Sequence, residues 1–274
     1  MMKHLHNSAM VSHALDDSAR KLTPAEFYVV IPARYASTRL PGKPLLDIAG
    51  KPMVVWVVER ANQSGAKQVV VATDDARILQ AVNDCGYQAV LTRTDHASGT
   101  DRIAEVVAQQ GWPDDAIVVN VQGDEPFIDA ALIVEVAAAL SKNKDAVMST
   151  ACHAIHNKAD FINPNIVKVV LDAQGNALYF SRAPIPYPRD SFATDSAFPD
   201  DIPAYRHVGI YAYRASFLKK YASIPQAKIE QFECLEQLRV LYQGYKIAVT
   251  ISANVPATGV DTEEDLERVR NLMQ

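Results

Sequence analysis

The chain has 274 residues, which is enough for one large hydrophobic core or for a large lobe with a smaller subdomain. Hydrophobic residues make up 49% and charged residues 22%, which is ordinary for a soluble globular protein. A net charge of -5 does not attract nucleic acid, so we expect no nucleic-acid partner and any phosphate chemistry requires a local positive patch.

The cysteines and the apolar runs exclude further classes of protein. Cys85, Cys152 and Cys234 are far apart and odd in number, which disfavours a disulfide framework or a CxxC metal site and favours a reducing compartment. No run approaches the roughly 18–20 apolar residues of a membrane span, so we expect no membrane insertion. Residues 1–25 do not resemble a secretory signal. We predict a flexible N-terminal extension at 1–25 and a single domain at 26–274.

The first predicted strand ends in a cationic loop. An apolar, β-branched run at 27–31 stops at Pro32 and is followed by Arg34, Arg39 and Lys43, with no acid among them. A buried strand that leads into such a loop is how α/β proteins hold phosphate at the carboxyl end of a sheet. Arginine binds phosphate with a planar fork and lysine as a point charge, so the loop suits a nucleoside triphosphate. It lacks the glycines of the Walker A and dinucleotide-binding motifs.

Strand-length apolar runs then alternate with helical patterns. This alternation predicts a mostly parallel sheet with helices on both faces. Thr73 and Asp74 supply N-cap chemistry for a helix that reaches toward Asp84, and Gly86 stands where a helix ends. The other predicted elements are strands at 68–72, 88–91 and 116–121 and a helix at about 100–110.

The second half of the chain is less regular. A turn at 172–176 predicts a hairpin, and the proline-rich segment at 184–203 predicts a long surface loop. Phe232, Leu235 and Tyr242 recur at helical spacing. The predicted elements are strands at 166–171, 177–180, 206–213 and 246–251 and helices at 229–242 and 262–272. We predict one compact domain with an antiparallel insertion.

Two acidic residues meet the requirements of a magnesium site. Asp124 follows the strand at 116–121 and should lie at the same sheet edge as the basic loop, whereas Asp261 precedes the last helix. Mg²⁺ is usually held by one or two carboxylates together with substrate phosphates. Glu125 leaves open which of the two neighbouring acids points inward. For Asp261 the alternative is a helix N-cap, with Glu264 completing a capping box.

Spacing alone gives other polar residues no single role. The polar loop at 92–102 could recognise the edge of a base, or it could equally be a solvated connection. Arg182 and His207 lie on either side of the proline-rich segment, and Glu236 and Gln237 flank the apolar positions of their predicted helix. Arg182 and His207 could each be a surface residue or a satisfied core residue, whereas Glu236 and Gln237 hold positions where side chains are usually solvated.

The motifs together resemble one family. IPARYASTRLPGK at 31–43, VQGDEP at 121–126 and GVDT at 259–262 are similar to the signatures of 3-deoxy-manno-octulosonate cytidylyltransferases, the CMP-Kdo synthetases. FSR at 180–182, HVGIY at 207–211 and LEQLRVL at 235–241 are also similar to segments of that family. The resemblance runs from about residue 27 to the C-terminus.

The resemblance implies transfer of CMP from CTP to the anomeric hydroxyl of the sugar acid Kdo, with Mg²⁺, giving CMP-Kdo and pyrophosphate. It implies that Lys43, Arg39, Asp124 and Asp261 are catalytic and that the two aspartates bind the metal. The implied nucleotide-binding residues are Pro32, Ala33, Arg34, Arg39, Lys43, Arg93, Ser98, Arg102, Gln122 and Gly123, and the implied sugar-binding residues are Arg182, His207, Glu236 and Gln237. It further implies a cytoplasmic homodimer that serves lipopolysaccharide biosynthesis.

The fold class implied is α/β, with a mostly parallel, Rossmann-like nucleotidyltransferase sheet flanked by helices and an antiparallel dimerisation insertion. Among the alternatives, a CMP-sialate synthetase is disfavoured by the RLPGK ending of the basic loop. A sugar-1-phosphate nucleotidylyltransferase is disfavoured because the loop lacks a glycine-rich start. A non-catalytic nucleotide-binding regulator is disfavoured because it has less need of both candidate metal acids.

Overall fold

The computed structural model describes residues 26–36, 40–96, 98–193, 198–199, 201–255, 257 and 259–273. Its strands are β1 (Phe27–Ala33), β2 (Asp47–Ile48), β3 (Lys51–Pro52), β4 (Gln68–Thr73), β5 (Gln88–Leu91), β6 (Ile117–Asn120), β7 (Ala146–Ala154), β8 (Lys168–Leu171), β9 (Ala177–Ser181), β10 (Tyr205–Arg214) and β11 (Lys246–Ile251). Its α-helices are α1 (Met53–Asn62), α2 (Ala76–Asp84), α3 (Gly99–Gln110), α4 (Ala130–Lys142), α5 (Lys158–Ile162), α6 (Arg189–Ala193), α7 (Ala215–Tyr221), α8 (Lys228–Glu233), α9 (Leu238–Tyr242) and α10 (Glu263–Leu272). Within these ranges, no helix is long and apolar enough to cross a membrane.

One large sheet organises the fold, with the strand order β11-β7-β10-β6-β1-β4-β5. Neighbouring strands are parallel except at β10, which runs antiparallel to β6 and β7. The α/β, mostly parallel, Rossmann-like prediction is therefore confirmed. From β1, the chain places β4 and β5 on one side and β6 on the other, so the strand order reverses between β1 and β6. In open α/β sheets, ligands bind outside the carboxyl ends of the strands at such a reversal.

The apolar side chains of β1 alternate between the two faces of the sheet. Val29 and Ile31 pack in the cluster that contains α1 and α4, whereas Tyr28 and Val30 pack in the cluster that contains α3 and α7. Because both faces are covered, the strand is apolar throughout. Burying each fully enclosed valine or isoleucine stabilises the fold by roughly 1.5–3 kcal/mol. This burial fixes the strand whose end carries the basic loop.

The strands predicted in the first half are confirmed as β1, β4, β5 and β6, and the predicted helices as α2 and α3. The sequence patterns did not identify the strands β2, β3 and β7 or the helices α1, α4, α5, α6 and α7. In α4, alanines lie between the large buried side chains, so the helix is apolar on most of its faces and its helical period is weak.

The predicted start of α2 is wrong by a residue or two. Asp75 is its N-cap, and its side chain accepts a hydrogen bond from the backbone of Arg77. Thr73 belongs to the end of β4, where its hydroxyl accepts from the backbone of Asp75 at 3.2 Å. At the other end, Gly86 has a φ of 79° after the last turn, as predicted.

The single helix predicted at 229–242 is wrong. The chain forms two short helices there, α8 and α9, because Cys234 adopts a left-handed conformation with a φ of 52°. Leu235 and Leu238 are buried, but Phe232 is 89% exposed and Tyr242 is 63% exposed. Apolar residues at helical spacing therefore did not share one buried face.

The hairpin predicted around 172–176 is confirmed, because β8 and β9 pair antiparallel and β8 also pairs with the start of β10. The prediction of a long surface loop at 184–203 needs correction. That segment contains α6, and Phe192 and Phe198 pack against the buried ring of Phe161. Residues 194–197 and 200 lie outside the described part of the chain.

Candidate active site

Lys43 joins the basic loop to both candidate metal acids. It follows Gly42, which has a φ of 66°, and begins a 3-10 turn after the loop. Its Nζ donates to Asp124 Oδ2 at 2.6 Å, to Asp261 Oδ1 at 3.1 Å and to the Val260 carbonyl at 2.7 Å. The Lys43 side chain is only 14% exposed. Two acids that are far apart in sequence therefore meet on one ammonium.

Close backbone packing brings these segments together. A Cβ at Gly123 would lie 2.8 Å from the Pro32 carbonyl oxygen, so only glycine allows the loop after β6 to rest on the end of β1. A Cβ at Gly259 would lie 3.3 Å from the Asp124 carbonyl oxygen. The same carbonyl accepts a hydrogen bond from the Val260 amide at 2.9 Å. The positions of the two acids are thus set by backbone contacts.

The structure answers which of the neighbouring acids faces the basic loop. The acid that contacts Lys43 is Asp124. Its neighbour Glu125 has a pKa raised to about 7, because the carboxyl group is desolvated and lies near the charge of Asp124. Asp261 is not the N-cap of α10. Thr262 takes that role and forms a capping box with Asp265.

The oxygen atoms that surround the Lys43 ammonium suit a hard cation. Two carboxylates and a backbone carbonyl converge on one point, and Mg²⁺ prefers oxygen ligands of this kind. Within the described ranges, no cluster of three or more histidine, cysteine or acidic side chains could hold a metal ion by itself. A metal held here would therefore need further ligands, which is the usual arrangement for Mg²⁺ bound together with substrate phosphates.

Arg34 connects the basic loop to the polar loop after β5. Its guanidinium donates to the His96 carbonyl at 3.1 Å. The His96 ring contacts the Glu105 carboxylate, which also accepts from the Arg93 amide at 3.0 Å. The Arg93 side chain is exposed and pairs with Asp95. The structure thus brings Arg34 to the polar loop, while Arg39 lies outside the described residues.

Ser98 and Arg102 both have partners within the fold. Ser98 is the N-cap of α3 and forms a capping box with Asp101. The fully buried Arg102 donates to Asp74 Oδ2 at 2.6 Å and to the Thr92 hydroxyl. These contacts fix the start of α3 and its approach to β4 and β5.

A cavity of about 230 Å³ lies at the carboxyl edge of the sheet. It brings together predicted nucleotide-binding residues, Pro32 and Gln122, and predicted sugar-binding residues, Glu236 and Gln237. The other lining residues are Gly99, Thr100, Asn120, Met148, Tyr211, Tyr213, Tyr221 and Val240. None of these eight was predicted, because a tyrosine or asparagine within an apolar pattern usually indicates core packing.

Two amide side chains that line this cavity each have one buried atom without a hydrogen-bond partner in the described part of the chain. Asn120 Oδ1, an acceptor, and Gln237 Nε2, a donor, are both buried and unpartnered in the described part of the chain. Such atoms are rare in folded proteins, because leaving a buried polar group unpaired costs free energy. Hydroxyl groups both donate and accept, so a ligand rich in hydroxyls suits this cavity.

His207 and Arg182 lie outside the cavity lining. The His207 ring centroid lies 4.9 Å from that of Phe180 and 5.4 Å from that of Tyr211. The His207 Nε2 atom lies 2.9 Å from the Thr150 hydroxyl. Burial lowers the pKa of His207 to about 3. The Arg182 guanidinium donates to the backbone carbonyls of Glu233 and Pro164, at 2.7 and 3.0 Å.

Comparisons with known proteins identify similar sequences and folds. The cytidylyltransferase family model matches residues 28–247. A solved structure of CMP:2-keto-3-deoxy-manno-octonic acid synthetase complexed with CTP is 46% identical, with a TM-score of 0.82, over 91% of this chain and 98% of that chain. A cytidylyltransferase from Leptospira borgpetersenii serovar Hardjo-bovis (strain JB197) is 18% identical, with a TM-score of 0.58, over 90% of this chain and 86% of that chain. At that identity the second structure shows the fold alone.

The half-buried His207, whose pKa is lowered by desolvation, should make folding stability depend on pH. Between about pH 6.5 and pH 3 the unfolded chain binds a proton at His207 that the folded protein does not, so the free energy of unfolding decreases as pH falls. We expect His207→Gln to reduce the slope of unfolding free energy against pH by about 1.4 kcal/mol per pH unit, which corresponds to about one proton. Urea unfolding between pH 4 and pH 7 measures it.

The exposed His156 offers a matched control for this change. We expect His156→Gln to leave the slope unchanged, because an exposed side chain has similar surroundings in the folded and unfolded states. Equal slopes for His207→Gln and the unsubstituted protein would contradict a His207 side chain that stays neutral in the folded protein.

Proposed function

The chain belongs to the cytidylyltransferase family, and we propose that it transfers CMP from CTP to the anomeric hydroxyl of Kdo, giving CMP-Kdo and pyrophosphate. The resemblance of its motifs to CMP-Kdo synthetases is confirmed by the similarity to the CTP-bound synthetase structure. The observation that carries the proposal is Lys43, whose ammonium contacts Asp124 and Asp261 at the sheet edge that also holds the polar cavity. We further propose that residues 26–274 form a single domain. We also propose that the reaction serves lipopolysaccharide biosynthesis.

The basic loop is proposed to hold the triphosphate of CTP. Arg34 directly follows β1 and contacts the polar loop after β5, Lys43 contacts Asp124 after β6, and Arg39 belongs to the same loop in sequence. The planar guanidinium groups of the two arginines and the point charge of the lysine complement phosphate oxygens. The proposed cytidine-binding residues follow the resemblance and are Pro32, Ala33, Arg93, Ser98, Arg102, Gln122 and Gly123. Ser98 and Arg102 would contribute mainly by fixing the start of α3, since their polar groups have partners in the fold.

Lys43 is proposed to change partners when substrate binds. In this structure its ammonium pairs with both Asp124 and Asp261. A bound triphosphate would attract the same ammonium, and Lys43 would then stabilise negative charge near the α-phosphate. We propose that the two acids, once released, hold Mg²⁺, whose bound charge would neutralise the phosphates and make the incoming hydroxyl more acidic.

The polar cavity is proposed to hold the sugar acid. Glu236 and Gln237 lie in its lining, and the unpartnered atoms of Gln237 and Asn120 suit sugar hydroxyls. Arg182 and His207 are proposed to contribute at its border. Phosphoryl-type transfer depends on positioning and charge neutralisation, so no protein nucleophile is required when the anomeric hydroxyl attacks the α-phosphorus.

We also propose a cytoplasmic homodimer in which the antiparallel insertion forms the interface. Leu178 on β9 is 61% exposed and Phe232 on α8 is 89% exposed. Exposed apolar side chains that form a contiguous patch are typical of surfaces that bind another protein, and we propose that these two residues belong to such a patch. The proposed location rests on the resemblance and on the three separated cysteines.

Release of pyrophosphate tests the proposed function directly. The protein is incubated with CTP and either Kdo or sialic acid, with and without Mg²⁺. We expect release with Kdo and Mg²⁺, and little release when the metal is omitted, because the phosphate charge is then not neutralised. Release with sialic acid alone would favour a CMP-sialate synthetase, and no release with either sugar acid would favour a nucleotide-binding regulator.

Removal of either carboxylate charge should stop the reaction while the fold persists. We expect Asp124→Asn and Asp261→Asn each to lower the rate of CMP-Kdo formation at least about 100-fold, because the site loses a charged ligand for the metal. Thermal unfolding should change little. The exposed Asp114, which pairs with Lys219, is a matched control, and Asp114→Asn should retain the rate. Near-normal rates for both site variants would contradict the metal assignment.

A further inference from the structure

Tyr221 contacts a residue of the proposed sugar site. It is the last residue of α7, its side chain is 1% exposed, and it lies in the lining of the polar cavity. Its hydroxyl donates to Glu236 Oε1 at 2.7 Å. Among the residues that the structure describes, Tyr221 is the one hydrogen-bond donor to the Glu236 carboxylate. The contact therefore decides where that carboxylate points.

The backbone around Glu236 does not fix the side chain by itself. Glu236 lies in the short segment between α8 and α9, just after the left-handed Cys234. A residue within a regular helix has few allowed side-chain directions, and this segment lacks that constraint. An external contact such as the Tyr221 hydroxyl is what holds the carboxylate in the cavity wall.

The Tyr221 ring is itself held on two sides. The Phe217 ring packs edge-on with a centroid distance of 5.9 Å, and the Arg239 guanidinium lies 4.9 Å from the Tyr221 ring centroid. Arg239 donates twice to Glu230, at 2.6 and 3.0 Å, and both of these side chains are buried. Because Glu230 neutralises Arg239, the guanidinium packs on the ring and leaves Glu236 to the tyrosine hydroxyl.

The direction of the hydrogen bond follows from the protonation of the tyrosine. Burial, with a further contribution from the Glu236 charge, raises the pKa of Tyr221 far above its usual range. The hydroxyl therefore stays protonated and donates, and the carboxylate accepts. A hydrogen bond from a neutral donor to a charged acceptor is stronger than one between neutral groups.

We propose that Tyr221 is a positioning residue whose hydroxyl holds Glu236 in the cavity wall, where the carboxylate accepts hydrogen bonds from the hydroxyl groups of the sugar acid. This inference rests on the proposed function. Tyr221 acts through Glu236, so removal of the Tyr221 hydroxyl should weaken binding of the sugar acid more than binding of CTP. The proposed phosphate site for CTP is built from Arg34 and Lys43.

Tyr221→Phe tests this role, because it removes the hydroxyl and keeps the ring that packs on Phe217 and Arg239. In steady-state pyrophosphate release, we expect the KM for Kdo to rise about 10-fold, the usual effect of losing a hydrogen bond to a charged group. The kcat and the KM for CTP should stay within about 2-fold, because the phosphate site is intact. Unchanged KM for Kdo, or an equal rise for CTP, would overturn the proposal.

Two controls separate positioning from a general structural effect. Tyr87 also bonds a glutamate, with its hydroxyl 3.4 Å from Glu59 Oε1, but neither residue lines the cavity. Tyr87→Phe should leave both KM values unchanged. In a Glu236→Ala background, Tyr221→Phe should cause no further rise in the KM for Kdo, because its effect passes through the carboxylate. An additive rise would show that Tyr221 does not act through Glu236.

Glu236→Asp provides a second route that leaves Tyr221 in place. The shorter side chain keeps its charge but cannot keep both the Tyr221 contact and the original carboxylate position, so the KM for Kdo should again rise. An unchanged KM would contradict the need for positioning. Failure of the proposed function is distinguishable, because the unsubstituted protein would then release no pyrophosphate with Kdo.

Discussion

The ammonium of Lys43 is the contact on which the arrangement of the site depends. It joins the loop after β1 to Asp124 after β6 and to Asp261 before α10, which are 81 and 218 residues away in sequence. Two carboxylates held this close would repel each other without a cation between them. Because Lys43 is mostly buried, removing both carboxylates would leave its charge uncompensated, whereas either one alone still pairs with it. The ammonium thus allows the two acids that are proposed to bind the metal to lie side by side.

The sheet supplies the place where this contact can form. β1 and β6 are parallel neighbours at the reversal of strand order, so their carboxyl ends open onto one crevice. Gly123 lets the two ends touch. The crevice has a charged part around Lys43 and a polar, largely uncharged part in the cavity lined by tyrosines and amides. This division matches a substrate pair that consists of a polyphosphate and a polyhydroxylated sugar acid.

Local signals in the sequence predicted the parallel strands and the basic loop, because buried β-branched runs and clustered cations have a direct physical meaning. Signals that depend on tertiary contacts failed. Phe232 and Tyr242 follow a helical period, yet Cys234 interrupts the helix and both side chains are exposed. The resemblance implied nucleotide binding by Arg102, and spacing could not show that Asp74 is its partner within the fold.

The tyrosines of the cavity illustrate the same limit. Tyr221 lies in an apolar pattern that predicts core packing, and its ring is indeed buried. Its function depends on one hydroxyl that reaches Glu236 across a break between two helices. No periodicity in the sequence predicts this contact, because it depends on how α7 packs beside the segment between α8 and α9.

Binding of Mn²⁺ to the CTP-free protein, measured by titration calorimetry, tests most directly whether Lys43 occupies the place of a cation between the two acids. Lys43→Met removes the ammonium and keeps an unbranched side chain of similar length. We expect this variant to bind Mn²⁺ about 10-fold more tightly than the unsubstituted protein, because the two carboxylates lose the ammonium that they share and no longer compete with it for the cation. The gain should disappear when Asp124→Asn is added. Equal or weaker binding by Lys43→Met would contradict the exchange of Lys43 between the acids and the triphosphate.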